Sequence, residues 1–349
     1  MENKFYKKEI PFEFSDYALK KYFRDTGERQ GWLPEDDGTA VLAVSGGGDS
    51  VALLWLFKNF FGGKISVVHV NHGIRENDSD IDENFVVNLA SSFGVEAVHK
   101  KVSVPEKKFK GESIEAAARR LRIETICETA EKIFGKNSKI FLGHNRDDLA
   151  ETVLFNILRG TGIRGSVGIT ECTELNGLKF YRPLLGLRRD FLREILRTRN
   201  IEWREDKTNE DDTYTRNFIR LKLLPLIESR INSSAVEHLA AFGEDMRLIR
   251  NLEDEQSREL LKMCREAEFS DLTLNRKILQ NFTNSERALI IREAGRILKI
   301  KTLSRERCEK LADLTAKHSD FIFQWCGGVT VKGMKDRIIF ERSDEKDAN

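Results

Sequence analysis

No two cysteines in this chain stand close enough in sequence to pair as metal ligands. Cys127, Cys172, Cys264, Cys308 and Cys326 are scattered, their number is odd, and no C-x-x-C occurs. This spacing speaks against a zinc site and against an iron–sulfur cluster. The thiols read instead as buried or idle groups in a reducing, cytoplasmic setting. Long apolar runs are missing as well. No stretch nears the roughly 20 residues that a membrane span needs, and Met1 to Lys20 lacks the basic, apolar and small-residue zones of a secretion signal. An excess of one charge is also absent, because 58 Lys and Arg oppose 57 Asp and Glu. With no global basic field, any nucleic acid has to be met by a local patch. There is no internal repeat and no low-complexity tract.

What is present is organised around Thr39-Ala-Val-Leu-Ala-Val-Ser-Gly-Gly-Gly-Asp-Ser-Val-Ala-Leu-Leu54. Val41 to Val44 reads as a buried strand, and Val51 to Phe61 as an apolar helix stopped by Gly62-Gly63. Between them stand Ser45, Gly46, Gly47, Gly48, Asp49 and Ser50. A strand, a glycine turn and a helix start make an anion site, since outward N–H groups and the helix dipole both favour negative charge. Glycines let phosphate oxygens reach the main chain with no Cβ in the way. The pattern is not the Walker loop, which needs Gly-Lys-Ser/Thr, and it lacks the glycine spacing of a dinucleotide fingerprint.

The rest of the first part alternates strands and helices. Strands are expected at Ile65–Val70, Val95–Val104, Lys139–Gly143 and Phe180–Leu185. Helices are expected at Phe12–Phe23, Asn77–Phe93 (capped by Asp78 or Ser79), Ile114–Phe134, Arg188–Asn200 and Tyr214–Leu223, the last ending before Pro225. Residues 163–180 read as an irregular connection. This order predicts an α/β fold, a doubly wound parallel sheet with right-handed crossovers. Ligands in such sheets lie beyond the carboxyl ends of the strands. From Ser233 the texture turns helical, with Ala235–Glu266, Ser285–Leu298 and Ser304–His318, followed by short strands at Phe321–Trp325, Val329–Val331 and Ile338–Phe340. The chain of 349 residues is long for one domain. It divides into a catalytic domain over residues 1–226 and a smaller, mostly helical C-terminal domain over 227–349.

Several polar clusters fall at strand ends. His69-Val-Asn-His72-Gly-Ile-Arg75 follows the second strand. Glu115-Ala-Ala-Ala-Arg119 and Arg122 put two arginines on one helix face. Gly143-His144-Asn-Arg-Asp147-Asp148-Leu-Ala-Glu151-Thr152 follows the fourth strand and opens a helix. Aspartates suit a helix N-terminus by dipole alone. Yet Asp148 and Glu151 share a face, with His144 one turn earlier. Such a cluster can bind an ammonium group, take its proton, or hold Mg²⁺. Arg216, Arg220 and Lys222 form a basic face, which is either solvated or used for a polyanion.

Ser45-Gly-Gly-Gly-Asp-Ser50 resembles the pyrophosphate loop of the N-type ATP pyrophosphatases. Taken with the clusters above, Arg159-Gly-Thr-Gly162, Arg182-Pro-Leu-Leu185, Asp206-Lys-Thr-Asn209, Tyr214, Arg216-Asn217 and Arg220, the chain resembles the tRNA(Ile)-lysidine synthetases over residues 38–226. Ile123 stands where that family usually has tyrosine, and Lys207-Thr208 where a serine is commoner. The chain is short for the extra C-terminal domain of longer members.

The resemblance implies that ATP adenylates the 2-carbonyl oxygen of the wobble cytidine in the CAU anticodon of tRNA(Ile). The ε-amine of free L-lysine then displaces AMP. It implies ATP and Mg²⁺ as cofactors, Ser45 to Ser50 as the pyrophosphate cradle, and Asp49 at the metal. Arg119 is implied at the transition-state phosphate or the cytidine, and His144, Asp148 and Glu151 at lysine and the activated base. The C-terminal part is implied to grip tRNA; no membrane is involved, and a homodimer is left open. The competing readings are a tRNA thiolase, which would want cysteine pairs, an amidating ligase with a glutaminase partner, and a catalytically silent nucleotide- or tRNA-binding module.

Overall fold

The computed structural model describes residues 12–33, 38–71, 76–205, 211–266, 272–300, 303–325 and 327–342. His72 to Arg75, Asp206 to Asn209 and Cys326 lie outside them, as do Ser343 to Asn349. The chain forms two compact units, Met1–Glu244 and Asp245–Asn349.

The first unit is built on a six-stranded sheet. Its strands are β1 (Thr39–Ala43), β2 (Lys64–Asn71), β3 (Glu96–Lys101), β4 (Lys139–Leu142), β5 (Cys172–Leu175) and β6 (Leu178–Tyr181), in the spatial order β3-β2-β1-β4-β6-β5. All neighbours are parallel except β5 and β6. The longer helices of this unit include α1 (Asp16–Gln30), α2 (Gly48–Phe60), α3 (Glu76–Ser92), α4 (Ile114–Phe134), α5 (Arg146–Leu158) and α6 (Arg189–Thr198).

The apolar run of β1 is buried on both faces, as a central parallel strand requires. Ala40, Leu42 and Val44 point to one side, into a core with Leu54 and Phe57 of α2 and Leu192 and Ile195 of α6. Val41 points to the other, where Val68 and Ile140 meet Ile126 and Ala130 of α4. Helices therefore cover both faces, and the expected doubly wound sheet is present. The strand order reverses between β1 and β4, so the crevice at their carboxyl ends is the switch point where this architecture binds ligands.

Local departures from expectation have physical causes. Residues 163–180 are not irregular: they hold a helical turn at Ile163–Ser166 and the β5–β6 hairpin. The hairpin turns on Asn176 (φ 51°) and Gly177 (φ 79°), the pair that a two-residue turn of primed type favours. The sixth strand ends at Tyr181, so Pro183 falls after it. The first helix starts at Asp16, capped by Ser15, and α3 opens at Glu76, ahead of Asp78 and Ser79. Pro225 does not stop the helical run that starts at Thr215. The chain passes through a π-turn at Ile219–Leu223 and restarts as Leu224–Arg230, with the proline in the first turn, where its missing N–H costs nothing.

A long helix, α7 (Ala235–Cys264), contributes Val236 and Ala240 to the first unit's core. Its end, with Leu260, Leu261 and Cys264, belongs to the core of the second unit. That second unit pairs α8 (Asn284–Ile297) and α9 (Arg305–Ala316) with an antiparallel sheet of β7 (Leu272–Asn275), β8 (Phe321–Trp325), β9 (Val329–Gly333) and β10 (Arg337–Arg342). Arg276 is wholly buried there and donates to the carbonyls of Leu314, Thr315, Ser319 and Met334. It thereby satisfies carbonyls that the end of α9 leaves open. Among the described residues no helix is long and apolar enough to cross a membrane.

Candidate active site

The glycine loop sits at the switch point. Gly46 has φ 95°, a conformation that side chains disfavour, and Gly47 is the N-cap of α2. Ser50 braces the loop from inside. Its hydroxyl accepts from the Ser45 N–H (3.2 Å) and donates to the Gly47 carbonyl (2.9 Å). Gly143, at the end of β4, lies so close to the start of α2 that an added Cβ would stand 3.1 Å from the Ser50 nitrogen. The loop is thus gripped between two strand ends. His69 buttresses it from β2, donating from Nδ1 to the Val44 carbonyl at 2.9 Å.

A cavity of about 620 Å³ opens over this loop. Six arginines line it, namely Arg119, Arg122, Arg182, Arg193, Arg204 and Arg220, against the acids Asp49, Asp82 and Glu205. An arginine excess over an amide nest suits a polyanion. Burial, reinforced by Arg119, lowers the Arg182 pKa to about 10, so that side chain keeps its charge at neutral pH. Arg182 also donates to the Thr170 carbonyl (2.8 Å) and Thr173 Oγ1 (2.9 Å), which fixes its place.

The acids come from two helix N-termini. Asn145 and Asp148 form a reciprocal capping box on α5: Asn145 Oδ1 accepts from the Asp148 N–H (2.9 Å), and Asp148 Oδ2 accepts from the Asn145 N–H (3.0 Å). Asp148 and Glu151 then turn to one guanidinium. Arg189 Nη2 donates to Asp148 Oδ1 (3.1 Å) and Glu151 Oε1 (2.8 Å), and Arg189 Nε lies 3.9 Å from Asp49 Oδ2. Arg216 stands 3.5 Å from Glu151 and 3.7 Å from Asp148, and Arg220 stands 3.9 Å from Glu151. The expected basic face of Arg216, Arg220 and Lys222 is therefore divided: two members face the acids, and Lys222 pairs with Asp212.

Protonation follows from these contacts. Burial, then the Asp148 charge, push the Asp49 carboxyl up to about 6, against the pull of Arg189. Burial also raises Glu151. For Asp148 burial acts upward but is outweighed by Arg189, His144 and Arg216, so its pKa falls. Burial disfavours charge on Arg189 too, yet Glu151, Asp148 and Asp49 prevail and raise its pKa. Burial lowers His144 to about 4, which leaves the imidazole neutral at neutral pH.

The structure brings Asp49, Arg119 and His144 to the cavity wall, together with Gly47, Gly48 and Ser50 of the loop. Asp148 and Glu151 stand beside it under their arginines, and Glu151 is only 1% exposed. Asp147, in contrast, turns away to cap α6, accepting from the Arg189 N–H at 2.8 Å and from Arg188 Nε at 3.2 Å. Sequence reasoning missed Arg189, Arg193 and Gly143. The first of these stands at a helix start, where the dipole disfavours cations, so no local rule points to it.

A family model described as the PP-loop domain matches residues 16–227. The chain belongs to the PP-loop family. Within it the likeness is to tRNA(Ile)-lysidine synthases. The protein of that name from Caldanaerobacter subterraneus is 40% identical over 235 residues, covering 66% of this chain and 49% of that one. The one from Thermus thermophilus is 41% identical over 209 residues, 58% of this chain and 38% of that one. The one from Chlorobaculum tepidum is 36% identical over 233 residues, 64% of this chain and 67% of that one. The chain spans about half the length of the first of these relatives. Among solved structures, the U34-tRNA thiolase NcsA from Methanococcus maripaludis superposes with a TM-score of 0.53 at 14% identity, over 66% of this chain and 80% of that one. At that identity the likeness is one of fold.

Proposed function

We propose that this protein attaches L-lysine to the wobble cytidine of the CAU anticodon of tRNA(Ile), consuming ATP and releasing AMP and diphosphate. The modified tRNA would then read AUA in place of AUG. One observation carries the reading. The glycine loop and the Asp148–Glu151 acids meet at Arg189, which supports reading a triphosphate site beside a site for an ammonium group.

In this reading the loop from Ser45 to Asp49 receives the pyrophosphate end of ATP, and positioning plus charge stabilisation do most of the work. Arg119 faces the reacting phosphate or the cytidine. His144, being neutral, offers hydrogen bonds to the activated base. Asp148 and Glu151 orient the lysine amine, and a carboxylate takes the proton that the amine sheds as it bonds to the base carbon. The bond from that carbon to the adenylated oxygen breaks, and the oxygen leaves with AMP.

Asp49 fits Mg²⁺, because its Oδ1 is buried and has no hydrogen-bond partner among the described residues. No group of three metal-ligating side chains occurs among those residues, so phosphate and water oxygens would complete the shell. Such a cation neutralises phosphate charge. The second domain, residues 227–349, would hold the tRNA.

The test is direct. Purified protein is incubated with ATP, radiolabelled lysine and tRNA(Ile). Label is expected in the tRNA only when ATP is present, with one AMP formed per lysine. No label, or label independent of ATP, would refute the proposal.

A further inference from the structure

Arg193 is among the cavity arginines that have no role so far. Arg193 lies on α6 four residues after Arg189, so the two share a helix face. That helix packs against α2, whose first turn carries the glycine loop. The Arg193 Nε is buried with no hydrogen-bond partner among the described residues, although a buried donor is costly to leave unpaired. Its Nη2 lies 3.1 Å from Glu205 Oε1. Glu205 is a weak tether, since its side chain is 64% exposed while that of Arg193 is 24% exposed.

The surroundings place this pair beside the loop. Glu205 Oε1 also accepts from Trp203 Nε1 at 3.3 Å. The Trp203 ring covers Gly48 so closely that an added Cβ there would meet it at 3.3 Å. The Arg204 N–H donates to the Gly46 carbonyl at 3.0 Å, which pins the strip 203–205 to the loop. A guanidinium with a spare buried donor therefore stands next to the amide nest, held by a carboxylate that faces solvent.

We propose that Arg193 is a further binding residue for the pyrophosphate end of the nucleotide, and that Glu205 occupies its guanidinium until those phosphates arrive. The carboxylate is a one-charge stand-in for a phosphate oxygen, and the incoming group, carrying several charges, displaces it. This rests on the reading of Ser45 to Asp49 as a phosphate cradle and not on the lysine chemistry.

The experiment is calorimetric titration of the full chain with inorganic pyrophosphate, ATP and AMP, without tRNA or lysine. Arg193→Ala is expected to weaken pyrophosphate and ATP by about tenfold or more while sparing AMP. Arg193→Lys should recover part of the loss, as a point charge without the fork. Glu205→Gln should act in the opposite direction, tightening pyrophosphate by about threefold. That gain should vanish in the double variant.

Unchanged pyrophosphate affinity in Arg193→Ala overturns the proposal, as does an equal loss for AMP. Weaker pyrophosphate binding by Glu205→Gln also overturns it, because the pair would then merely prop the loop. If Arg193→Ala does not fold, the sign of the Glu205→Gln effect still decides. A wild-type protein that binds pyrophosphate but transfers no lysine would refute the proposed function and leave this inference standing.

Discussion

Arg189 Nη2 stands 2.8 Å from Glu151 Oε1, and both side chains are removed from solvent. The same nitrogen reaches Asp148, and the Nε of the same side chain lies 3.9 Å from Asp49 Oδ2. One guanidinium thus ties the helix after the glycine loop to the helix that bears the acid cluster. Arg189→Met keeps the volume and removes the charge, leaving two buried carboxylates short of their main partner. Breaking a buried pair from one side costs about 3–5 kcal/mol. A lower urea midpoint is expected, with only partial recovery in Arg189→Lys, which lacks the planar fork. An unchanged midpoint would mean that Arg216 and Arg220 suffice to hold the acids.

Asp148→Asn tests the acid cluster without removing the helix cap, since the amide oxygen can still accept from the Asn145 N–H. Lysine transfer is expected to fall by about a hundredfold, in keeping with the loss of an oriented acid–base group. The apparent affinity for ATP should change little, because the glycine loop is untouched. Wild-type transfer rates in this variant would remove Asp148 from the chemistry.

How far the sequence foretells this site differs from residue to residue. The glycine loop was legible because Gly46 must take a positive φ and β1 must be apolar on both faces, constraints that act within a few residues. The capping box at Asn145 and Asp148 is equally local. The β5–β6 hairpin has a local signal too, Asn176-Gly177, but its short strands are set among polar neighbours that mask their alternation. Arg189 was not legible by local rules, which place cations at the other end of a helix. It becomes intelligible only once Asp147, Asp148 and Glu151 arrive from α5. Gly143 resembles any glycine until the backbone of α2 is seen against it. Pro225 misled because a π-turn absorbs it, and that adjustment depends on packing around Ile219 and Leu224.

His144 makes a prediction about pH. Its imidazole is held to about 4 in the folded chain, mainly by burial, against about 6.5 in an unfolded one. The unfolded state therefore binds a proton between those values that the folded state refuses, and stability falls as pH drops through that window. Above pH of about 6.5 both states are neutral there and the effect is absent. Replacing His144 with Gln should reduce the drop in Tm between pH 7 and pH 5 relative to wild type. An identical drop in both proteins would show that His144 does not carry this share of the acid sensitivity.

The division at Glu244 allows a test of the second unit. A chain ending at residue 230 would lose Val236 and Ala240 from the first unit's core, whereas one ending at Glu244 keeps them. The protein ending at Glu244 should bind ATP with near wild-type affinity, because every loop and cavity residue precedes the cut. Its affinity for tRNA(Ile) should fall by about tenfold or more if the second domain supplies phosphate contacts, and the slope of log affinity against log salt should flatten as those contacts are lost. The full chain has almost no net charge, so a steep salt dependence in it would itself point to a local basic surface. Equal tRNA affinity and equal slope in the two proteins would place the whole tRNA grip on the first unit.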